Sequence, residues 1–314
     1  MNASIIQRVG IRTALTLVFI VGSASAAAYS WTQILIPSIG PIGNPFGIND
    51  KGQVAINSAD GSKVGIYRNG AFTPLPPLPA GYSRVTVFGV NNAGTIIGSA
   101  FPPTDPTHEQ GFILSGSKYT FFSRPGWSNT EPRAISNAGL ITGYNYTDDL
   151  STYAGFIYDP STNTFTDATP PGTSAGFFTA MGMNAAGRIS GDGRSADLGR
   201  YAFVWQQQPI VKGTRQLMPF IARSQIAGAN SAARGINDAG LIVGFFNSGN
   251  PAGFVGNEAR GFELLVPPGG DAPGAGVVCE GINNFNQVVC LVQDVNGNVV
   301  GDFIGTPDQN QNEQ

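Results

Sequence analysis

One short phrase occurs six times in this chain of 314 residues, and it constrains the fold more than any other feature. The copies span residues 47–54, 89–96, 134–141, 182–189, 235–242 and 281–288. The first reads Gly-Ile-Asn-Asp-Lys-Gly-Gln-Val and the second Gly-Val-Asn-Asn-Ala-Gly-Thr-Ile. Their starts lie 42, 45, 48, 53 and 46 residues apart. Self-similarity at that period marks a repeat architecture.

Each copy decodes as a hairpin. Asn, Asp or Ser opens a type I turn, and the Gly three residues on takes the left-handed position of a bulged loop. The sixth copy puts Asn286 there, the residue that tolerates positive φ best after Gly. A second strand follows, starting with Val54, Ile96, Ile141, Ile189, Ile242 or Val288. Four copies carry Gly two residues later, at Gly98, Gly143, Gly191 and Gly244. Glycine inside a strand points to close approach of another backbone, here read as one sheet on the next.

A small residue and then Phe mark a third strand at Phe112, Phe156, Phe203 and Phe254, with Phe303 in the last unit and Ile66 in the first. Fourth strands follow at residues 71–75, 118–122, 164–167, 214–217 and 261–265. The sixth unit has none, but residues 29–37 stand alone before the first unit and match the fourth-strand pattern. Six four-stranded units, one completed by the N-terminus, is how a propeller closes. The expected fold is a single all-β, six-bladed β-propeller over residues 28–306, the last blade closed by residues 29–37. The same strands suit an open solenoid or paired sandwiches, but a solenoid needs distinct polar caps. Charged residues at 12% and 43 glycines fit short strands and tight turns better than helices.

The ends read as processing signals. Arg8 and Arg12, the short apolar run 13–22 and the small residues 23–27 have the pattern of a secretory signal peptide over residues 1–27. The apolar run is about half the length that a membrane span needs. Cleavage leaves 15 basic against 20 acidic residues, a net charge of −5. No basic stripe is present, so nucleic acid is not an expected partner. No membrane span is expected after cleavage, and the polar residues 307–314 read as a disordered tail. The expected location is periplasmic or extracellular.

The phrase Gly-Ile-Asn-x-x-Gly-x-Val/Ile, followed by a small-aromatic third strand, resembles the bacterial extracellular HAF-repeat family, named for a His-Ala-Phe triplet. Tyr201-Ala202-Phe203 is the nearest copy, and no copy keeps the His. The resemblance covers roughly residues 44–305 and implies an exported, repeat-built protein of unassigned biochemical role.

Residues with chemical potential are sparse. His108 is the sole histidine, which excludes a His-pair metal site. It is read as a solvated loop residue or, in an enzyme, as a base oriented by Glu109 or Asp105. Residues 294–298 with Asp302 alternate oxygen ligands as a calcium loop does, but lack its closing Glu; an Asn-Gly hairpin is the better account. Residues 58–62 resemble a glycosidase Asp-box that lacks its aromatic. Arg84, Arg133 and Arg234 stand near the starts of inner strands and could gather at one channel mouth to bind an anion or sugar. Cys279 and Cys290 flank the sixth hairpin. Pairing Asn283 with Gln287 and counting outward places the two sulfurs on opposite faces, whereas a slip of one residue makes them face each other. Both registers are open. No cofactor or metal is expected.

The Asn-x-x-Gly turns fall on one face of the ring. The links between blades and between second and third strands fall on the other. That face carries the variable loops 102–110, 144–153, 192–200 and 220–232 and the expected ligand contacts Arg124, Trp127, Arg133, Tyr144, Tyr146, Asp148, Asp192, Arg194, Arg200 and Arg234. Function on loops held by a rigid scaffold is the general expectation. Two functions fit: a secreted binding or scaffolding propeller recognising a glycan, polymer or protein, or a polymer-acting hydrolase or lyase using carboxylates such as Glu109, Asp148 or Asp192.

Overall fold

The computed structural model describes residues 28–40, 42–169, 177–195, 199–206, 230–247, 249–257 and 259–308. The signal-peptide assignment, the fourth strand expected at 214–217 and all of the loop 220–232 but its last three residues lie outside them. The chain forms six antiparallel sheets in a ring, a six-bladed β-propeller. Five sheets have four strands, and the fourth blade shows three among the described residues. Among the described residues no helix is long and apolar enough to cross a membrane.

Blade order follows the repeats. In blade 3 the strands are Asn129–Ile135, Ile141–Tyr146, Tyr153–Asp159 and Thr164–Asp167, running from the axis outward. Blade 6 is closed by the N-terminal strand Tyr29–Gln33, which pairs with Val299–Pro307. The third strand thus continues to Pro307, and the Asp308 amide donates to the Ala28 carbonyl, so the first two residues of the expected tail are ordered; the rest of it lies outside the described residues. Ring closure ties the two ends of the described chain together, which pairs the outer edge of Val299–Pro307 and leaves only the short strand Tyr29–Gln33 as that blade's edge.

The core is distributed. Six apolar clusters fill the wedges between neighbouring blades. In the wedge between blades 5 and 6, for example, Val243 and Val255 meet Val277, Val288 and Phe303. This is burial on both faces of each sheet, which explains second strands that are buried throughout, such as Val54–Ser58.

The Gly two residues into the second strand has a different role from the one expected. A Cβ on Gly98 would stand 2.1 Å from the Thr86 carbonyl oxygen and 2.5 Å from the Phe112 ring, both in its own blade. Gly98 and Phe112 are cross-strand partners, as are Gly143–Phe156, Gly191–Phe203 and Gly244–Phe254. The third-strand Phe lies over the bare glycine, so the Gly and the Phe of the repeat are one device inside a blade. The first Gly of the phrase is the one that touches the next blade: a Cβ on Gly47 would meet the Gly89 Cα at 3.1 Å.

The Asn of each phrase also does more than open a turn. Asn49 accepts the amides of Lys51 and Gln53 on Oδ1 and donates Nδ2 to the Asn91 carbonyl of the next blade. The same step recurs from Asn91 to Ser136, Asn184 to Asn237, Asn237 to Asn283 and Asn283 to Asn49. A second ring runs beside it, in which the following amide donates to a neighbouring side chain: Asp50 to Asn92, Asn92 to Asn137, Ala185 to Asp238, Asp238 to Asn284 and Asn284 to Asp50. Both rings break at the seam between blades 3 and 4. Ser136 is too short to reach across, and Ala185 offers no acceptor to Asn137.

Candidate functional site

The inner strands share an irregularity just before the phrase. Pairing slips between Val87 and Gly89, Pro132 and Ala134, Ala180 and Gly182, Ala233 and Gly235, and Cys279 and Gly281, and in blade 1 between Pro45 and Ile48. Each slip is a β-bulge, which re-aims a side chain. The skipped residues are Phe46 with Gly47, Phe88, Arg133, Met181, Arg234 and Glu280, and together they line an axial chamber of about 90 Å³. The bulge in blade 6 supplies the one-residue slip that brings Cys279 opposite Cys290, and the two form a disulfide.

The channel is tiered. Toward the turn face, Ile48, Val90, Ile135, Met183, Ile236 and Ile282 form an apolar ring that borders both this chamber and a second one of about 80 Å³ among the Asn residues. The repeat is nearly constant in the apolar ring and the Asn ring. It varies at the bulge, as Phe, Phe, Arg, Met, Arg and Glu. Sequence reasoning picks out Arg133 and Arg234 but misses this column; the signal is the one variable position adjoining a constant phrase.

The two chamber arginines are matched by acids. Arg133 donates to Glu131 at 2.9 Å and stands 3.7 Å from Glu280, with its guanidinium over the rings of Phe46 and Phe88 at 4.7 and 4.5 Å. Arg234 lies 3.8 Å from Glu280 and 3.7 Å from Asp192. Asp192 is fully buried and accepts from Arg200 at 2.7 Å and from Thr179 at 2.9 Å. Arg84 does not join them: it lies over Phe101 at 4.6 Å, and Phe88 holds the chamber position in blade 2.

Above the chamber, toward the loop face, runs an aromatic shelf. Tyr144, Tyr146, Tyr153 and Phe177 succeed one another with centroids 5.1–6.2 Å apart. Arg194 stacks on Phe177 at 4.4 Å, and Arg200 lies 6.0 Å from the same ring. Two carboxyls underlie the shelf. The Tyr144 hydroxyl donates to Glu131 at 2.6 Å and the Tyr146 hydroxyl to Glu109 at 2.8 Å. Glu109 and Glu131 also share a hydrogen bond; burial and the adjacent Glu131 charge push Glu109 up to about 8. Burial raises the phenols of Tyr144 and Tyr146 as well, so both stay hydrogen-bond donors.

These residues sit on strands where loops were expected. Tyr144 and Tyr146 belong to Ile141–Tyr146, Asp192 and Arg194 to Arg188–Ser195, and Arg200 to Gly199–Gln206. Strands that run to the rim hold side chains more firmly than loops do. His108 is bridged on both ring nitrogens, by Asp105 at 2.5 Å and by Asp148 at 3.0 Å from the next blade. Those two hydrogen bonds raise its pKa. A histidine so held has no free lone pair and serves as a clasp between blades. Arg124 donates to the Asn145 side chain and the Gly155 carbonyl, both at 3.4 Å, and its guanidinium lies 5.8 Å from the Trp127 ring, outside the shelf. Residues 294–298 form the hairpin turn: Asp294 accepts the amides of Asn296 and Asn298, and Gly297 has φ +82°.

No family model matches the chain, and no curated protein matches it. Among solved structures it is similar to a streptogramin B lyase, with TM-score 0.48 and 9% identity over 90% of this chain and 98% of that one. It is similar to the fucose-specific lectin from Aleuria aurantia, with TM-score 0.45 and 13% identity over 81% and 90%. It is similar also to YCF48 bound to D1 peptide, with TM-score 0.47 and 15% identity over 92% and 85%. Likeness at these values carries no argument about activity.

Proposed function

We propose that this chain is an exported binding propeller of the HAF-repeat kind, which recognises a glycan, polymer or protein on its loop-rich face. The observation that carries the reading is the shelf of Tyr144, Tyr146, Tyr153 and Phe177, edged by Arg194 and Arg200 and underlain by Glu109 and Glu131. Aromatic faces beside a few fixed polar groups are what ligand sites are made of. Tyrosine offers broad contact area with a polar tip at low entropic cost. The test is binding to arrayed glycans, soluble polymers and extracellular protein fractions by wild type and by Tyr146→Ala, Arg194→Ala and Arg200→Ala. Each substitution is expected to weaken the dominant interaction about tenfold or more, typical of an anchor residue. Unchanged binding in all three would sink the assignment.

A second reading, a polymer-acting hydrolase or lyase, is favoured by one observation: Glu109 keeps its proton to about pH 8 beside the Glu131 carboxylate. A carboxylic acid held neutral beside a second carboxylate has the form of an acid–base pair. The direct hydrogen bond between them counts against this, because carboxyl pairs that flank a glycosidic bond stand about 5–9 Å apart. Release of reducing ends or unsaturated products, abolished by Glu109→Gln, would establish the second reading in place of the first.

A further inference from the structure

The axial chamber contains two groups without hydrogen-bond partners among the described residues, and they face each other. Arg234 Nε is buried with no partner. The Glu280 carboxylate stands 3.8 Å from it and 3.7 Å from Arg133, both beyond hydrogen-bond range. Glu280 is itself 9% exposed. A buried donor or acceptor left unmade costs on the order of 1–3 kcal/mol. The chamber volume of about 90 Å³ corresponds to roughly three water molecules. A group lying beside the Arg234–Glu280 ion pair can therefore accept from the first and donate to the second.

The charges restrict what that group is. Arg133 and Arg234 face Glu131 and Glu280, two against two, and Arg200 faces Asp192. An added net charge would be buried without compensation, which is strongly unfavourable. The occupant is neutral and polar, with donor and acceptor side by side. Adjacent hydroxyls meet this in either orientation, since each hydroxyl both donates and accepts. A primary amide meets it in one orientation only. The shelf above offers aromatic faces to the rest of such a molecule.

We propose that the chamber is a carbohydrate subsite: a vicinal diol at the end or edge of a glycan enters the channel mouth and bridges Arg234 and Glu280. This rests on the shelf reading and names the ligand class for it. The bulge column then sets specificity, with Phe46, Phe88 and Met181 as the apolar wall.

Methionine gives a local reporter. Of the four methionines in the chain, Met181 lines the chamber and Met183 the apolar ring beneath it. With methyl-¹³C methionine in the full chain, methyl α-mannoside is expected to shift the Met181 resonance saturably in the millimolar range, and Met183 less. Its fully O-methylated derivative is expected to leave both unmoved. Glu280→Gln and Arg234→Lys are each expected to weaken the effect at least tenfold, while Lys118→Ala, exposed on the outer strand Lys118–Phe122, leaves the monosaccharide response within twofold. A silent Met181 on wild type across a monosaccharide panel overturns the proposal, even if either variant fails to fold. A response to acetamide but not to sugars overturns it in favour of an amide. If Met181 is silent while Tyr146→Ala abolishes polymer binding, the chamber fails and the shelf stands. If Met181 responds while shelf variants change no interaction, the shelf fails and the chamber stands.

Discussion

Repair of the broken seam tests the account of what closes the ring. Every other blade junction has an Asn side chain donating to the next carbonyl and an amide donating to the next turn's side chain. The junction of blades 3 and 4 has Ser136 and Ala185 at those positions. Ser136→Asn combined with Ala185→Asn restores both. The first substitution also recruits a second turn amide, since Ser136 Oγ accepts from Leu140 alone, whereas Asn91 takes both Ala93 and Thr95. Each new hydrogen bond contributes about 0.5–1.5 kcal/mol net, and ordering two side chains offsets part of it. The expected gain is about 2 kcal/mol. For a chain of this size that raises Tm by about 4 °C. The converse, Asn237→Ser, severs an existing link and should cost about 1–2 kcal/mol. Denaturant melts measure both, and hydrogen exchange gives an independent check: the Asn137 amide should exchange faster than those of Asn92 and Asp238 in wild type, and slow in the double variant. A double variant that melts at or below wild type, with Asn137 exchange unchanged, would refute the claim that the rings hold the blades together.

Four further outcomes follow from the structure. Glu109 with its pKa near 8 makes the folded protein bind more protons than the unfolded chain between about pH 4.5 and 8, so stability falls as pH rises through that window. Glu109→Gln should flatten the dependence by on the order of 5 kcal/mol; a pH–stability curve unchanged by the substitution contradicts the burial argument. Asp302, pushed up to about 7 by burial and with Oδ1 unpartnered among the described residues, adds a smaller fall in the same direction, and Asp302→Asn should stabilise the protein near pH 8. Reducing Cys279–Cys290, which closes a loop of sequence separation 11, should cost about 3 kcal/mol; alkylation before reduction should add no mass. Gly98→Ala drives a methyl into the Thr86 carbonyl and the Phe112 ring, and should cost at least about 3 kcal/mol, whereas Gly116→Ala, with nothing within 4 Å but φ +61°, should cost about 1 kcal/mol.

What is legible in the sequence is local. The turn chemistry of Asn-x-x-Gly depends on a few adjacent residues, and Gly52, Gly94, Gly139, Gly187, Gly240 and Asn286 all have positive φ as that chemistry requires. Ring closure by residues 29–33 is legible because one strand is missing and one is spare. The bulge is not legible: nothing in Arg133-Ala134 or Glu280-Gly281 marks an extra residue, because the slip arises where six inner strands converge on one axis. Without it the cysteine register stays open and the chamber stays hidden. The Gly98–Phe112 pair reads as sheet stacking because sequence shows a glycine and an aromatic but not that they lie opposite each other. Tyr144, Asp192 and Arg200 read as loop residues because polar and aromatic residues at strand ends lack the apolar alternation that marks a strand.

The division of labour within the repeat explains why the candidate site lies where it does. The Asn ring uses side chains and backbone at the turn face, the apolar ring plugs the axis beside it, and the Gly–Phe pairs hold blades 2 to 5 internally. None of these uses the side chain at the bulge. A bulge residue points at the axis, and of the six only Phe46 also packs against a wedge cluster, so its exchange disturbs blade packing less than that of its neighbours. That freedom is why the column holds Phe, Arg, Met and Glu while its neighbours stay nearly fixed, and it makes the axial chamber the place where, on the proposed reading, such a ring changes what it binds without changing how it folds.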